Sequence, residues 1–151
     1  MACQATCLPN GSAPLPYFLI VSALVPYKRV DLAIEACRIA GVPLHVAGNG
    51  PEMARLQALA GQDVEFLGAC SDLELRALYR EAQALLLPGE EDFGIAPVEA
   101  LACGRPVVGL AKGGVTETVS DGDTGVLVEE PSAEAFADGI RRVAETSFDP
   151  V

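Results

Sequence analysis

The chain has 151 residues, enough for one domain of ordinary size and too few to bury two separate cores. Hydrophobic residues make up 50% and charged residues 21%, the balance of a folding globular chain and not of a disordered one. With 21 acidic against 10 basic groups the formal net charge is -11, a field that repels nucleic acid and anionic lipid, so no nucleic-acid partner is expected; a small phosphorylated ligand can still be held by helix N-termini, backbone N–H groups and one well-placed lysine.

In chain order, residues 1–16 carry Pro9, Gly11, Pro14 and Pro16 and read as a leader or linker. They hold neither the basic segment nor the apolar run of a signal peptide. From Tyr17 short apolar runs alternate with helical patterns. YFLIVSAL precedes KRVDLAIEACRIAG, PLHVAG precedes PEMARLQALAG, and VEFLG precedes SDLELRALYREAQ. ALLLP then precedes GIAPVEALACG, PVVGLA precedes GVTETVSDG, and TGVLVEE precedes SAEAFADGIRRVAETS. Apolar runs without polar alternation suit parallel strands covered on both sides. The expectation is an α/β fold, a single Rossmann-like doubly wound parallel sheet of about six strands with helices on both faces. It spans 17–147, with FDPV at 148–151 as a cut end.

Local punctuation supports these boundaries. Ser71 with Glu74 three residues on forms a capping box, Pro51 suits a first helical turn, and Gly41, Gly61 and Gly104 suit helix C-termini. Five scattered cysteines (Cys3, Cys7, Cys37, Cys70, Cys103), odd in number, read as reduced, buried or incidental thiols, and no apolar stretch approaches the roughly 18 residues that span a bilayer. A cytoplasmic setting follows.

In open parallel sheets ligands sit beyond the carboxyl ends of the strands, which points to the loops at 22–29, 48–51, 67–72, 88–95 and 111–115. The richest stretch is PGEEDFGIAPVEALACGRPVV, residues 88–108. An acidic loop precedes a helix that opens near Gly94, so the N–H groups of Ile95 and Ala96 are free to hold a diphosphate, whereas Pro97 has none. Glu91 and Glu99 carry carboxylates, and an ionised carboxylate can accept two hydrogen bonds from a vicinal diol.

The Glu91-x7-Glu99 spacing, within EDFGIAPVEA and followed by ACGRPVV, resembles the signature of the group 1 family of retaining glycosyltransferases over about Tyr17 to Ser147. The resemblance implies that Glu91 holds donor-sugar hydroxyls and Glu99 the ribose, while Phe93, Gly94, Ile95 and Ala96 face the sugar and its phosphates. In the segment VSALVPYKRVDLAIEA, Lys28 stands at the family's phosphate-gripping lysine. Its arginine position is Ala23, and Arg29 is the neighbouring substitute. Gly48 and Gly50 in GNGPE match a tight turn where backbone comes close, since Met53 stands where a dinucleotide fingerprint needs its third glycine. The nucleobase is expected against backbone near Cys70. Asp72 is either a guanine reader or an acid favoured in the first turn of its helix.

Asp121–Gly122–Asp123 has the D-x-D form of metal-dependent transferases but sits in a turn, and His45 lies inside an apolar run and reads as a packed strand residue. The implied protein uses no metal or organic cofactor. It carries a sugar, GDP-mannose being the chosen donor over a UDP-sugar, to an acceptor hydroxyl in surface-polysaccharide synthesis, in a full-length enzyme peripheral at the inner membrane face. An N-terminal acceptor-binding domain completes such enzymes and is absent here, so the fragment is expected to be inactive alone. A non-catalytic nucleotide- or sugar-phosphate-binding module acting with a partner chain is the alternative.

Overall fold

The computed structural model describes residues 17–90 and 95–145. Six parallel strands, β1 (Phe18–Val21), β2 (Leu44–Ala47), β3 (Val64–Gly68), β4 (Ala84–Leu87), β5 (Val107–Leu110) and β6 (Gly125–Val128), form one sheet in the order β3-β2-β1-β4-β5-β6. Between them run α1 (Val30–Ala40), α2 (Met53–Leu59), α3 (Asp72–Glu81), α4 (Ile95–Ala102) and α5 (Val115–Thr118), and α6 (Ala133–Glu145) closes the order. The α/β expectation, with helices on both sides, is met. The chain goes outward from β1 in one direction and then in the other, so β1 and β4 flank the switch point where loops diverge and a crevice opens.

Each strand alternates between two cores. Phe18, Ile20, Leu44, Val46, Ala84, Leu86, Val108 and Val126 meet α1, Leu56 of α2 and α6 on one face. Leu19, Ala47, Leu85, Leu87 and Val107 meet Leu78 and Tyr79 of α3, Ala100 of α4 and Val115 of α5 on the other. The unbroken apolar runs read from the sequence are this double burial. In α6, Phe136, Ala137, Ile140 and Val143 recur at helical spacing and are all buried. Truncating the fully buried Phe136 to Ala would cost about 3–5 kcal/mol.

The helix ends agree with the sequence in part. The Ser71 hydroxyl accepts the Glu74 N–H at 3.2 Å while the Glu74 carboxylate accepts the Ser71 N–H at 2.8 Å, so the capping box is present. Gly41 caps α1 with φ 71, and Gly104 follows α4 with φ 79. Gly61 does not cap α2, which stops at Leu59 because Ala60 turns to extended backbone. Pro51 lies in the turn ahead of α2, whose N-cap is Glu52. The YFLIVSAL run is strand only over Phe18–Val21; a 3-10 turn at Pro26–Lys28 follows, entered through extended Val25 as a residue before proline should be. No helix among the described residues is long and apolar enough to cross a membrane.

Candidate functional site

A cleft of about 610 Å³ lies at the carboxyl ends of β1, β2, β3 and β4. The strand ends and their loops supply Val21, Ser22, Ala23, Lys28, Gly48, Asn49, Ala69 and Cys70, and α4 supplies Ile95, Ala96, Pro97 and Glu99. The crevice expected at the switch point is therefore present, and four of the five loops singled out in the sequence reach it. The loop 111–115 does not line it.

Close backbone approach shapes this end. The Ser22 N–H donates to the Ala47 carbonyl at 3.0 Å, Leu24 N–H to Asn49 O at 2.9 Å, and Glu52 N–H to Leu24 O at 3.0 Å. The loops after β1 and β2 are thus stitched together past the end of the sheet. A Cβ on Gly48 would run into the Ser22 carbonyl and one on Gly50 into the Leu24 backbone, and Gly48 has φ 135, a region that side chains strain to enter. The glycines expected to permit backbone approach do so here, toward the loop that carries Ala23 and Lys28.

Lys28 ends the 3-10 turn and lines the cleft, with its ammonium 5.3 Å from the centre of the Tyr27 ring. Arg29 does not line it. Its guanidinium pairs with Asp31 at 3.2 Å, and its backbone is left-handed at φ 54, which turns the chain into α1. The idea that Arg29 replaces the guanidinium lost at Ala23 therefore lacks geometry, because the turn sends consecutive side chains different ways. Ala23 itself is on the cleft wall and exposed.

Ile95 and Ala96 open α4 and line the cleft, beside the acidic residue Glu99 one turn on. Glu91, Phe93 and Gly94 lie outside the described residues. Cys70 lines the cleft and is disulfide-bonded, so the expectation of reduced thiols holds at Cys37 and Cys103 but fails at Cys70. Burial pushes the Cys37 thiol up to about 12, as suits an inert core sulfur.

A second cavity of about 290 Å³ adjoins the first between α3 and α4, lined by Asp72, Leu75, Arg76, Tyr79, Glu99, Ala102 and Cys103. Leu75 and Glu99 border both spaces. Asp72 belongs to the smaller one alone and not to the larger. The Tyr79 hydroxyl donates to Glu99 Oε1 at 3.1 Å, although the ring is only 2% exposed. Burial first, and then the Glu99 charge, raise the pKa of Tyr79 well above the ordinary phenol value, so it remains a donor. Tyr79 was not singled out from the sequence, since an aromatic on the apolar side of a helix reads as core. The signal available was its hydroxyl, which needs a partner when buried.

The two residues set aside as structural are placed so. The Asp121 carboxylate accepts the Leu127 N–H at 2.8 Å and lies 3.9 Å from Arg142, bracing the turn before β6. His45 stacks on Tyr17 with ring centres 4.0 Å apart, in the amino half of β2 and away from the cleft.

Comparison with known proteins adds an independent line. A family model described as Glycosyl transferases group 1 matches residues 11–148. A D-inositol 3-phosphate glycosyltransferase of Mycobacterium tuberculosis is 36% identical over 133 residues, which is 80% of this chain and 28% of that protein. An uncharacterized glycosyltransferase of Methanocaldococcus jannaschii is 32% identical over 117 residues, 74% of this chain and 33% of the relative. Among solved structures, HepE of Anabaena in complex with UDP-glucose superposes with TM-score 0.75 at 26% identity, covering 85% of this chain and 39% of that one. TarM of S. aureus, solved with UDP among its ligands, superposes with TM-score 0.81 at 20% identity over 96% of this chain and 31% of its own, a likeness of fold. The chain spans about a third of the length of the curated relatives it matches.

Proposed function

Since the chain belongs to the glycosyl transferases group 1 family, matched over residues 11–148, we propose that it is the donor-binding part of a GT-B enzyme that transfers a sugar with retention from a nucleoside diphosphate sugar to an acceptor hydroxyl. The observation that carries this reading is the cleft at the switch point, where Lys28, the first residues of α4 and Glu99 share one wall-lined space. Negative charge accumulates on the diphosphate as the sugar–oxygen bond breaks. A lysine ammonium and the amides of Ile95 and Ala96 at the start of α4, fixed in advance, stabilise that charge without reorganising. Glu99 takes the ribose hydroxyls, Glu91 orients the sugar with backbone from Phe93 and Gly94, and the base lies against backbone near Cys70. In this reading the acceptor is met by a part of the enzyme outside the donor-binding part, the chain spanning about a third of its relatives' length, so the isolated chain binds donor without transferring its sugar.

Two observations favour a uridine nucleotide: HepE, at 26% identity, was solved with UDP-glucose, and Asp72, the candidate guanine reader, borders the smaller cavity and not the cleft. GDP-mannose remains the reading favoured by the likeness of VPYKRVDLAIEA and PGEEDFGIAPVEA to mannosyltransferases. The short span relative to its relatives equally suits a binding module that works through a partner chain. Calorimetry with UDP, GDP and ADP separates the bases. The chain is expected to bind one of them, and Lys28→Ala to weaken that binding at least about tenfold, the scale of a lost charge-assisted contact. Unchanged affinity in Lys28→Ala would remove the phosphate site from this cleft.

A further inference from the structure

We infer that Tyr79 is a positioning residue for Glu99: its buried hydroxyl holds the Glu99 carboxylate at the border of the two cavities in the orientation that receives a ribose diol. The inference rests on the donor-site reading above and deepens it.

Glu99 is exposed on α4, and an unrestrained glutamate there samples many rotamers. Of its two carboxylate oxygens, Oε1 accepts from Tyr79 at 3.1 Å. Among the described residues no donor other than Tyr79 meets this carboxylate, so Oε2 and the second lone pair of Oε1 are the positions at which a diol would be received. The carboxylate stands where the two spaces meet, so its direction decides whether it serves the cleft or turns into the smaller cavity beside Asp72 and Arg76.

Tyr79 itself has little freedom. Its ring is packed in the core between the sheet and α3, and the preceding residue is tied down as well, since the Tyr17 hydroxyl donates to the Leu78 carbonyl at 2.7 Å. The donor is thus held by the packing of α3 against the sheet, while the acceptor is the flexible group that needs direction. A buried hydroxyl could in principle be satisfied by any neighbouring carbonyl; this one is spent on the carboxylate that lines the cleft. The expected consequence is selective. Removing the hydroxyl should weaken contacts to the ribose and leave contacts to base and phosphate alone.

The test is calorimetry on the full chain with UDP, GDP and their 2′,3′-dideoxy counterparts, for wild type, Tyr79→Phe, Glu99→Ala and the double variant, with circular dichroism to monitor the fold. Phenylalanine keeps the buried ring. Tyr79→Phe is expected to weaken the preferred ribonucleotide roughly fivefold to tenfold, to leave the dideoxy analogue unchanged, and to add nothing once Glu99 is Ala. Equal losses for ribo and dideoxy ligands, a loss that persists in the Glu99→Ala background, or no loss at all would overturn the inference while the donor site stands. If wild type binds neither ribonucleotide, or Glu99→Ala has no effect, the donor-site reading fails first and the inference falls with it.

Discussion

In the amino half of the sheet, His45 on β2 stacks on Tyr17, its Nε2 lies 3.5 Å from Glu65 of β3, and its side chain is partly buried. At the carboxyl end of the same strands, Lys28 and Glu99 line a cleft, and two glycines hold the surrounding loops so close that no side chain fits between them. Titratable residues occur in both places, yet among the described residues it is Lys28 and Glu99, and not His45, that line the cleft. The difference comes from topology: at the switch point the loops after β1 and β4 lead to opposite sides and leave a crevice between them. Residue type alone does not mark a site; which end of a parallel strand carries it does.

The largest expected effect sharpens that contrast with two alanines. Gly48→Ala drives a Cβ into the Ser22 carbonyl at φ 135, and should destabilise the chain by about 3 kcal/mol or more, combining backbone strain with a clash that only loop displacement relieves. Gly61, ahead of β3 at the amino end, has open space around it and no left-handed backbone, so Gly61→Ala should be neutral or stabilise by about 0.4–1 kcal/mol. Urea unfolding of the two variants measures both. Similar midpoints would mean that the carboxyl-end loops are loose, and that their close approach does not define the cleft.

A smaller effect is expected from Ala23→Arg, which puts a planar fork of donors on the cleft wall beside Lys28. Affinity for the preferred nucleoside diphosphate should tighten by about 1–2 kcal/mol at low salt, less as salt rises, after the cost of ordering a long side chain. Arg29→Ala should leave it unchanged, because that guanidinium is paired with Asp31 outside the cleft. Titrations at two ionic strengths decide the matter; a loss in Arg29→Ala would show that Arg29 leaves Asp31 for the phosphates.

Much of this architecture was legible in the sequence, for reasons that differ by residue. Runs such as ALLL at 84–87 announce a strand buried on both faces, and Ser71 with Glu74 announces a helix start, because both are local patterns with local causes. Lys28, Gly48, Gly50 and Glu99 were found through the likeness of their surroundings to a known family, and they converge on one cleft or on the loops that shape it. What stayed hidden depends on contacts between distant segments. Tyr79 reaches Glu99 twenty residues away in sequence, and Arg29 is turned from the cleft by one left-handed residue, a backbone state that the arginine codon does not reveal. The disulfide at Cys70 was missed for the same reason, since spacing along the chain says nothing of sulfurs that meet in space.

The smallest expected effect tests whether the amino end is structural in the sense argued, and it is a pH dependence. Burial lowers the pKa of His45 below the ordinary imidazole value, against the opposing pull of Glu65 and Glu81, and its Nδ1 is buried without a hydrogen-bond partner among the described residues. The fold therefore prefers the neutral imidazole, which stacks on Tyr17 and needs no acceptor for a second N–H. In the unfolded chain residue 45 takes up a proton as pH falls through about 6.5, while the folded chain resists until lower pH. Over that window the unfolded state binds more protons, so stability is full above it and declines as pH drops. His45→Gln removes the titrating group. The urea midpoint of wild type should fall between pH 7.5 and 5.5 by less than the Gly48→Ala effect, and the slope should flatten in His45→Gln. Identical slopes would mean that the acid sensitivity arises elsewhere and that His45 is no more than a spectator beside Tyr17. Nucleotide affinity at pH 7.5 should be the same in both chains, because His45 does not line the cleft; a change there would join the two ends of the sheet that the structure keeps apart.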